Sequence, residues 1–166
     1  MATLLSLPIL GILVIFQTAV ASRVNLLQGS VDLVMLALIA WALQPRVTNA
    51  WQWALVGGLL VNIPSSMPLG VPLLGYLAAT GVALALRRRV WQVPMLAMLV
   101  ATLVGTLLTL GISWVALQII GVSLPVFPSF YLVILPSALL NLLLAIPIYT
   151  LAGDLASWLY PQELEI

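Results

Sequence analysis

The side chains able to do chemistry are few and widely spaced. Gln17, Asp32, Asn62, Asn141 and Asp154 interrupt long apolar stretches, and the cationic groups are Arg23, Arg46 and the run Arg87, Arg88, Arg89. Histidine and cysteine are absent. The commonest general base and metal ligand is therefore missing, as are thiolate nucleophiles and disulfides. There is no phosphate-cradling glycine loop, zinc-protease helix, nucleophile elbow or iron–sulfur spacing. Asp32 and Asp154 lie near opposite ends of apolar stretches without a basic partner between them, a poor layout for a proton relay. Neither catalysis nor a cofactor is expected. The three amides carry a different chemistry: each is costly to leave unpaired in an apolar setting and should find a neighbour or water. The arginine run could meet anionic headgroups, at about 1 kcal/mol per basic residue, although the plainer reading is a topology anchor. With a net charge of +1 the chain has no case for binding nucleic acid.

The elements carrying these groups must be membrane helices. Of 166 residues 64% are hydrophobic, and five basic plus four acidic side chains cannot cover the surface of a soluble core of 17.8 kDa. A helix needs about 20 apolar residues to cross a hydrocarbon core of roughly 30 Å. Six candidates follow, at about residues 3–21, 26–43, 49–63, 68–86, 93–121 and 130–152. The expectation is an all-α, six-span bundle forming one membrane domain. The second and third spans are short enough to leave five or four as alternative counts. With both ends cytoplasmic, Arg46, Arg87, Arg88 and Arg89 lie inside and only Arg23 outside, which satisfies the positive-inside rule. The loops "NIPSSMP" and "GVSLPVFPS" then face outward and the tail "PQELEI" inward. Most of the six tryptophans fall near span ends, where indole prefers to sit. "AVASR" after the first apolar run resembles a signal-peptidase site, but no basic region precedes it and cleavage would spoil the charge asymmetry.

Helices in lipid associate through small and hydrogen-bonding residues. The fifth span carries Ala97, Ala101, Gly105, Thr109 and Ser113 at four-residue spacing, the fourth Gly75, Ala79 and Ala83, and the third Gly57 and Gly58. These strips serve packing within the bundle or receive a partner's helix. In "LPSALLNLLLAIPIY", Pro136 falls near a helix start, where a missing N–H costs little. Pro147 should bend the helix near its inner end. Ser137, Asn141, Ala145 and Tyr149 line one side. Pro68, Leu69 and Gly70 are expected to start the fourth helix close to another backbone, with Pro68 near its first position and Gly70 allowing the approach.

Two stretches resemble the rod shape-determining protein MreD family. "GGLLVNIPSSMPLGVPLLGYLAATGVALALRRR", Gly57 to Arg89, is similar to its central signature at Gly58, Leu59, Leu60, Ser65, Pro68, Leu69, Gly70, Tyr76 and the three arginines. "LPSALLNLLLAIPIY" is similar to its last span at Pro136, Ser137, Asn141, Pro147 and Tyr149. "VDLVMLALIAWAL" resembles its second span, with Val31 in place of a proline and Asp32 retained. Asn62 stands where the family often has Asp, and Pro64 and Ser66 replace the commoner Leu and Gly.

The resemblance implies a non-catalytic scaffold of the bacterial cell-elongation complex that binds MreC, a single-span protein with a periplasmic domain. Through MreC it would act with MreB, RodA and a class B penicillin-binding protein. The candidate packing or partner-binding residues are Asn62, Pro68, Leu69, Gly70, Tyr76, Ala101, Gly105, Thr109, Pro136, Ser137, Asn141 and Pro147. The family is thought to resemble, in fold, the substrate-binding S components of energy-coupling-factor vitamin transporters, which supplies the alternative function. Such a component would need an outward pocket, for which Gln17, Asn62, Tyr76 and Tyr131 are the available polar groups.

Overall fold

The computed structural model describes residues 2–19, 25–89 and 93–160. Arg23, Trp91 and the acidic tail lie outside these. The chain is mostly helical. In order come α1 (Ala2–Ala19), β1 (Asn25–Leu26), β2 (Gly29–Ser30), α2 (Leu33–Leu43), α3 (Ala50–Asn62), α4 (Val71–Arg89), α5 (Pro94–Ile119) and α6 (Val126–Ser129). A π-helical turn (Phe130–Ile134) joins α6 to α7 (Leu135–Leu159). The strands form a two-residue hairpin in which Leu26 pairs with Gly29 and Asn25 with Ser30. Leu27 in its turn takes φ +57°.

At the centre stands α2. Every residue of it except Ala37 is buried, and α1, α3, α4, α5 and α7 all pack against it. Its 11 residues rise about 16 Å, roughly half a hydrocarbon core. The 13 residues of α3 rise about 20 Å. Among the described residues, two helices are long and apolar enough to cross a membrane: α5, and the continuous helix Val126–Leu159 made of α6, the π turn and α7.

The small-residue strips lie inside the bundle. A Cβ added at Gly75 would come within 2.9 Å of Thr109 Cγ2, and one at Gly105 within 2.8 Å of Ile39 Cδ1 and 3.2 Å of Ala79 Cβ. The strips of α4 and α5 therefore face each other with α2 behind them. At Gly58 the added carbon would lie 2.7 Å from Leu73 Cα, so α3 and α4 touch nearly backbone to backbone.

Several expectations need correction. The second span, read as 26–43, is instead a hairpin and a short helix, because Asp32 caps α2 and stops it extending backwards. Pro68 precedes α4, which begins at Val71. Gly70 has φ +91° and open space around it, so the backbone conformation, not close approach, is what calls for glycine there. Pro136 is the second residue of α7, as a helix start would have it, but the helical run continues back through the π turn and α6 to Val126. Trp41 and Trp53 lie near the end of α2 and the start of α3, but they are buried in the core, where their rings stack at 4.2 Å.

Gly58→Ala should lower the unfolding midpoint in detergent, at a cost of about 1–3 kcal/mol for overpacking against the α4 backbone. Gly111→Ala, where nothing lies within 4 Å, should leave the midpoint unchanged or raise it through helix propensity. Equal responses of the two variants would contradict the α3–α4 contact.

Candidate functional site

The polar groups scattered in sequence meet around Asp32. Its Oδ1 accepts the Met35 N–H at 3.0 Å, the expected N-cap bond. The Tyr76 hydroxyl of α4 approaches both carboxyl oxygens, at 2.9 and 3.0 Å. From α7, Asn141 Oδ1 accepts the Asp32 N–H at 2.9 Å, while its Nδ2 donates to Thr106 Oγ1 of α5 at 3.1 Å. The Thr106 hydroxyl donates to the Thr102 carbonyl at 2.8 Å. From α1, Gln17 Oε1 accepts the Val34 N–H at 2.9 Å. Tyr76, Thr106 and Asn141 are almost wholly buried. A cavity of about 90 Å³ opens beside them, bounded by Gln17, Asp32, Met35, Thr106, Ser137 and Asn141 among others. It has room for a few waters with several polar partners.

The hairpin is held by the proline-bearing helix. Pro136 has no N–H, so the Leu132 carbonyl four residues earlier lacks its usual partner. That carbonyl accepts the Gln28 N–H at 3.1 Å. One step on, Ser137 Oγ accepts the Ser30 N–H at 3.1 Å. Gly29 fits between, where an added Cβ would meet Ser137 N at 2.6 Å and Pro136 Cβ at 2.8 Å. The π-helical turn falls where the proline releases the ladder, a usual place for such an irregularity.

The opposite end of the bundle is built on arginine. Arg87 Nη1 lies 3.1, 3.0 and 2.9 Å from the carbonyl oxygens of Ala42, Gln44 and Val47, closing the C-terminal end of α2. Partial burial, with the charge of Arg88 adding to it, lowers the Arg87 pKa from its ordinary value, and the guanidinium keeps its charge. Arg46 Nη1 donates to the Tyr160 carbonyl at 3.3 Å just beyond α7. Two of the topology anchors are thus also helix caps. Arg88 is exposed, and Arg89 is the last residue of α4.

The remaining candidate residues divide by place. Ala101, Gly105 and Thr109 are buried within the bundle, and the Thr109 hydroxyl reaches Met35 Sδ at 3.5 Å. Pro136, Ser137 and Asn141 are buried on the α7 face that also carries Ala145. Pro147 is exposed on the same helix, its carbonyl accepting the Thr150 hydroxyl at 2.8 Å. Asn62 at the end of α3 has a buried Oδ1 without a partner among the described residues. Leu69, at 90% exposure, and Ile63, at 80%, project from the turn between α3 and α4. The sequence reading missed Gln28, Gly29, Ser30 and Thr106. For Thr106 the signal was there, since Thr102, Thr106 and Thr109 recur at helical spacing in an apolar run.

The chain matches no protein-family model, no curated protein and no solved structure.

Tyr76→Phe should destabilise the protein by about 1–3 kcal/mol, because it leaves a half-buried carboxyl group short of a donor. Paired with Asp32→Asn in a double-mutant cycle, it should give a coupling of about 0.5–3 kcal/mol, measured by unfolding in detergent. Strict additivity would remove the Tyr76–Asp32 bond from the account.

Proposed function

We propose that the chain is a multi-pass protein of the bacterial cytoplasmic membrane and a non-catalytic scaffold of the cell-elongation complex, with MreC as its direct partner. The membrane part of this reading is supported by an inverted distribution of polarity. Thr80, Thr102, Thr106, Ser137 and Asn141 are buried, whereas Ile12, Ile15 and Phe16 of α1, Leu103 and Leu107 of α5, and Leu139 and Leu143 of α7 are exposed. Water would penalise such a surface and lipid would not. Six crossings with both ends inside put Arg46, Arg87, Arg88 and Arg89 at the cytoplasmic face. The shortness of α2 is then accommodated by its enclosure among the other helices.

One observation carries the scaffold reading: the three stretches that resemble MreD converge on a single network. Asp32 comes from the second-span stretch, Tyr76 from the central signature and Asn141 from the last-span stretch, and they are joined at 2.9–3.0 Å. Residues that carry a resemblance and also bond one another across 44 and 109 positions favour a shared fold over coincidence of apolar composition. The network is spent on holding helices together. What remains for a partner is the outer surface, and the apolar turn bearing Ile63 and Leu69 lies at the hairpin end, on the side proposed to face the periplasm.

A second reading, the vitamin-binding S component, has one observation in its favour. A cleft of about 400 Å³ at the hairpin end is lined by Gln28, Ser113, Trp114, Ser129 and Leu132 among others, and the Trp114 indole N–H is buried without a partner among the described residues. That size suits a small molecule. Mass spectrometry of the purified protein that finds a vitamin, with thermal stabilisation on adding it, would favour this reading over the scaffold.

Co-expression with the MreC of the same bacterium, followed by detergent purification, should recover a stoichiometric complex. Replacing Ile63 and Leu69 together by Glu should weaken recovery roughly tenfold, as expected for exposed anchors of an interface, while leaving the unfolding midpoint of the isolated chain near its original value. Full recovery with the double variant excludes the turn as the contact, and no complex with the unaltered chain sinks the scaffold reading.

A further inference from the structure

At the arginine end a cleft of about 400 Å³ opens between the C-terminus of α4 and the N-terminus of α5, with Leu43, Arg87, Arg88, Pro94, Ala97 and Tyr149 on its walls. Its chemistry is lopsided. Arg87 and Arg88 line it, and among the described residues no acidic side chain does. Arg88 is exposed and makes no ion pair or hydrogen bond within the described residues. Arg87 is held in place by its three carbonyl contacts, so its charge is oriented before any ligand arrives.

A third source of positive potential comes from α5. Pro94 occupies the first turn of this 26-residue helix, and no side chain caps its N-terminus. The N–H groups of the first turn lack intrahelical acceptors and favour an anion in front of them. Tyr149 adds a phenol at the wall. The remainder of the cleft is apolar, with Ala97 buried at its base. On its outer face α5 presents Leu96, Val100, Leu103 and Leu107 as an exposed stripe at helical spacing. A positively charged cup at the start of a helix whose outer face is an exposed hydrocarbon stripe suits an amphiphile with an anionic head.

We propose that this cleft holds the phosphate of an anionic phospholipid, the headgroup between Arg88, Arg87 and the start of α5 and an acyl chain along the α5 stripe. A free phosphate satisfies the head half of the site alone, whereas the stripe has a counterpart only in a lipid. The proposal rests on the membrane placement argued above and is independent of the partner. Its consequence is a fixed lipid at the α4–α5 junction, tying the end of the longest strip-to-strip contact to the cytoplasmic leaflet.

The test uses the full chain purified in detergent, exposed to equal amounts of phosphatidylglycerol and phosphatidylcholine and read by native mass spectrometry. Phosphatidylglycerol should be retained over phosphatidylcholine, and Arg88→Ala should cut that preference roughly fivefold, the effect of one basic residue at an anionic surface. Arg88→Glu should abolish it, with the unfolding midpoint unchanged because Arg88 bonds nothing in the fold. Arg87 is left intact as a cap of α2. Equal retention of the two lipids, or a preference untouched in both variants, overturns the headgroup assignment while leaving the membrane placement standing. Displacement of the lipid by inorganic phosphate overturns it in favour of a free-phosphate site. Failure to retain either lipid overturns the membrane placement as well.

Discussion

A helix of 11 residues enclosed in apolar surroundings has to satisfy the orphan groups at both of its ends without water, and this constraint on α2 organises the rest of the bundle. Four N–H groups at the start of any helix and four carbonyls at its end lack intrahelical partners, and each costs free energy if buried alone. In α2 the partners come from all sides. The Met35 N–H is taken by Asp32, the Val34 N–H by Gln17 of α1, and the Asp32 N–H by Asn141 of α7. At the other end Arg87 of α4 closes on the Ala42 carbonyl. The arrangement also matches the macrodipole, with a carboxyl group at the N-terminus and a cation at the C-terminus. Each capping group fixes the helix that supplies it, so three neighbours are positioned by the needs of one short segment.

Asp32 could not do this alone. A carboxyl group moved out of water needs its lone pairs filled, and Tyr76 and the Met35 N–H supply the donors. Tyr76 in turn sits on α4, whose other faces are closely packed: Gly75 and Ala79 let α5 come near, and Gly58 lets α3 do so. The polar network and the close packing thus meet on α4. Enlarging the small side chains would push α5 and α3 away from α4, and removing the network would leave buried polar groups with nothing to compensate them.

Much of this was legible in the sequence. The bounds of α3, α4 and α5 fall within a few residues of the apolar runs that predict them, and the seam of Ser137, Asn141 and Ala145 is buried as its four-residue spacing implies. The residues Gln17, Asp32 and Asn141 stand out because polar groups in apolar runs must pair, although nothing in one sequence says with which partner. The hairpin was not legible for a physical reason. Leu26, Leu27 and Val31 flank it, so the segment reads as the start of an apolar helix, and strand pairing of two residues leaves no periodicity to detect. The punctuation was present in Gly29, Ser30 and Asp32, a break followed by an N-cap. Gly70 was assigned to the right turn for the wrong cause, since a demand for positive φ and a demand for close approach select the same residue.

The proline in the closing helix explains why the hairpin can exist in such surroundings. Two paired residues are far too few for a stable strand pair, and the hairpin's other backbone groups need acceptors from outside. Any residue other than proline at position 136 would bring an N–H able to close the helix ladder onto the Leu132 carbonyl, the acceptor that Gln28 uses. Proline leaves that carbonyl open, the π turn accommodates the irregularity, and Ser137 adds a second acceptor one residue on. The two ends of the bundle are therefore closed by different means. Guanidinium groups cap carbonyls at one, and a proline-released carbonyl and a serine hydroxyl receive backbone N–H groups at the other. The arginine end is charged and suits the plane of the headgroups, whereas the hairpin end carries no described charge beyond the enclosed Asp32 and leaves Ile63 and Leu69 projecting. The apolar turn is thus exposed beside a bundle whose central polar groups, Asp32, Tyr76, Thr106 and Asn141, already bond one another.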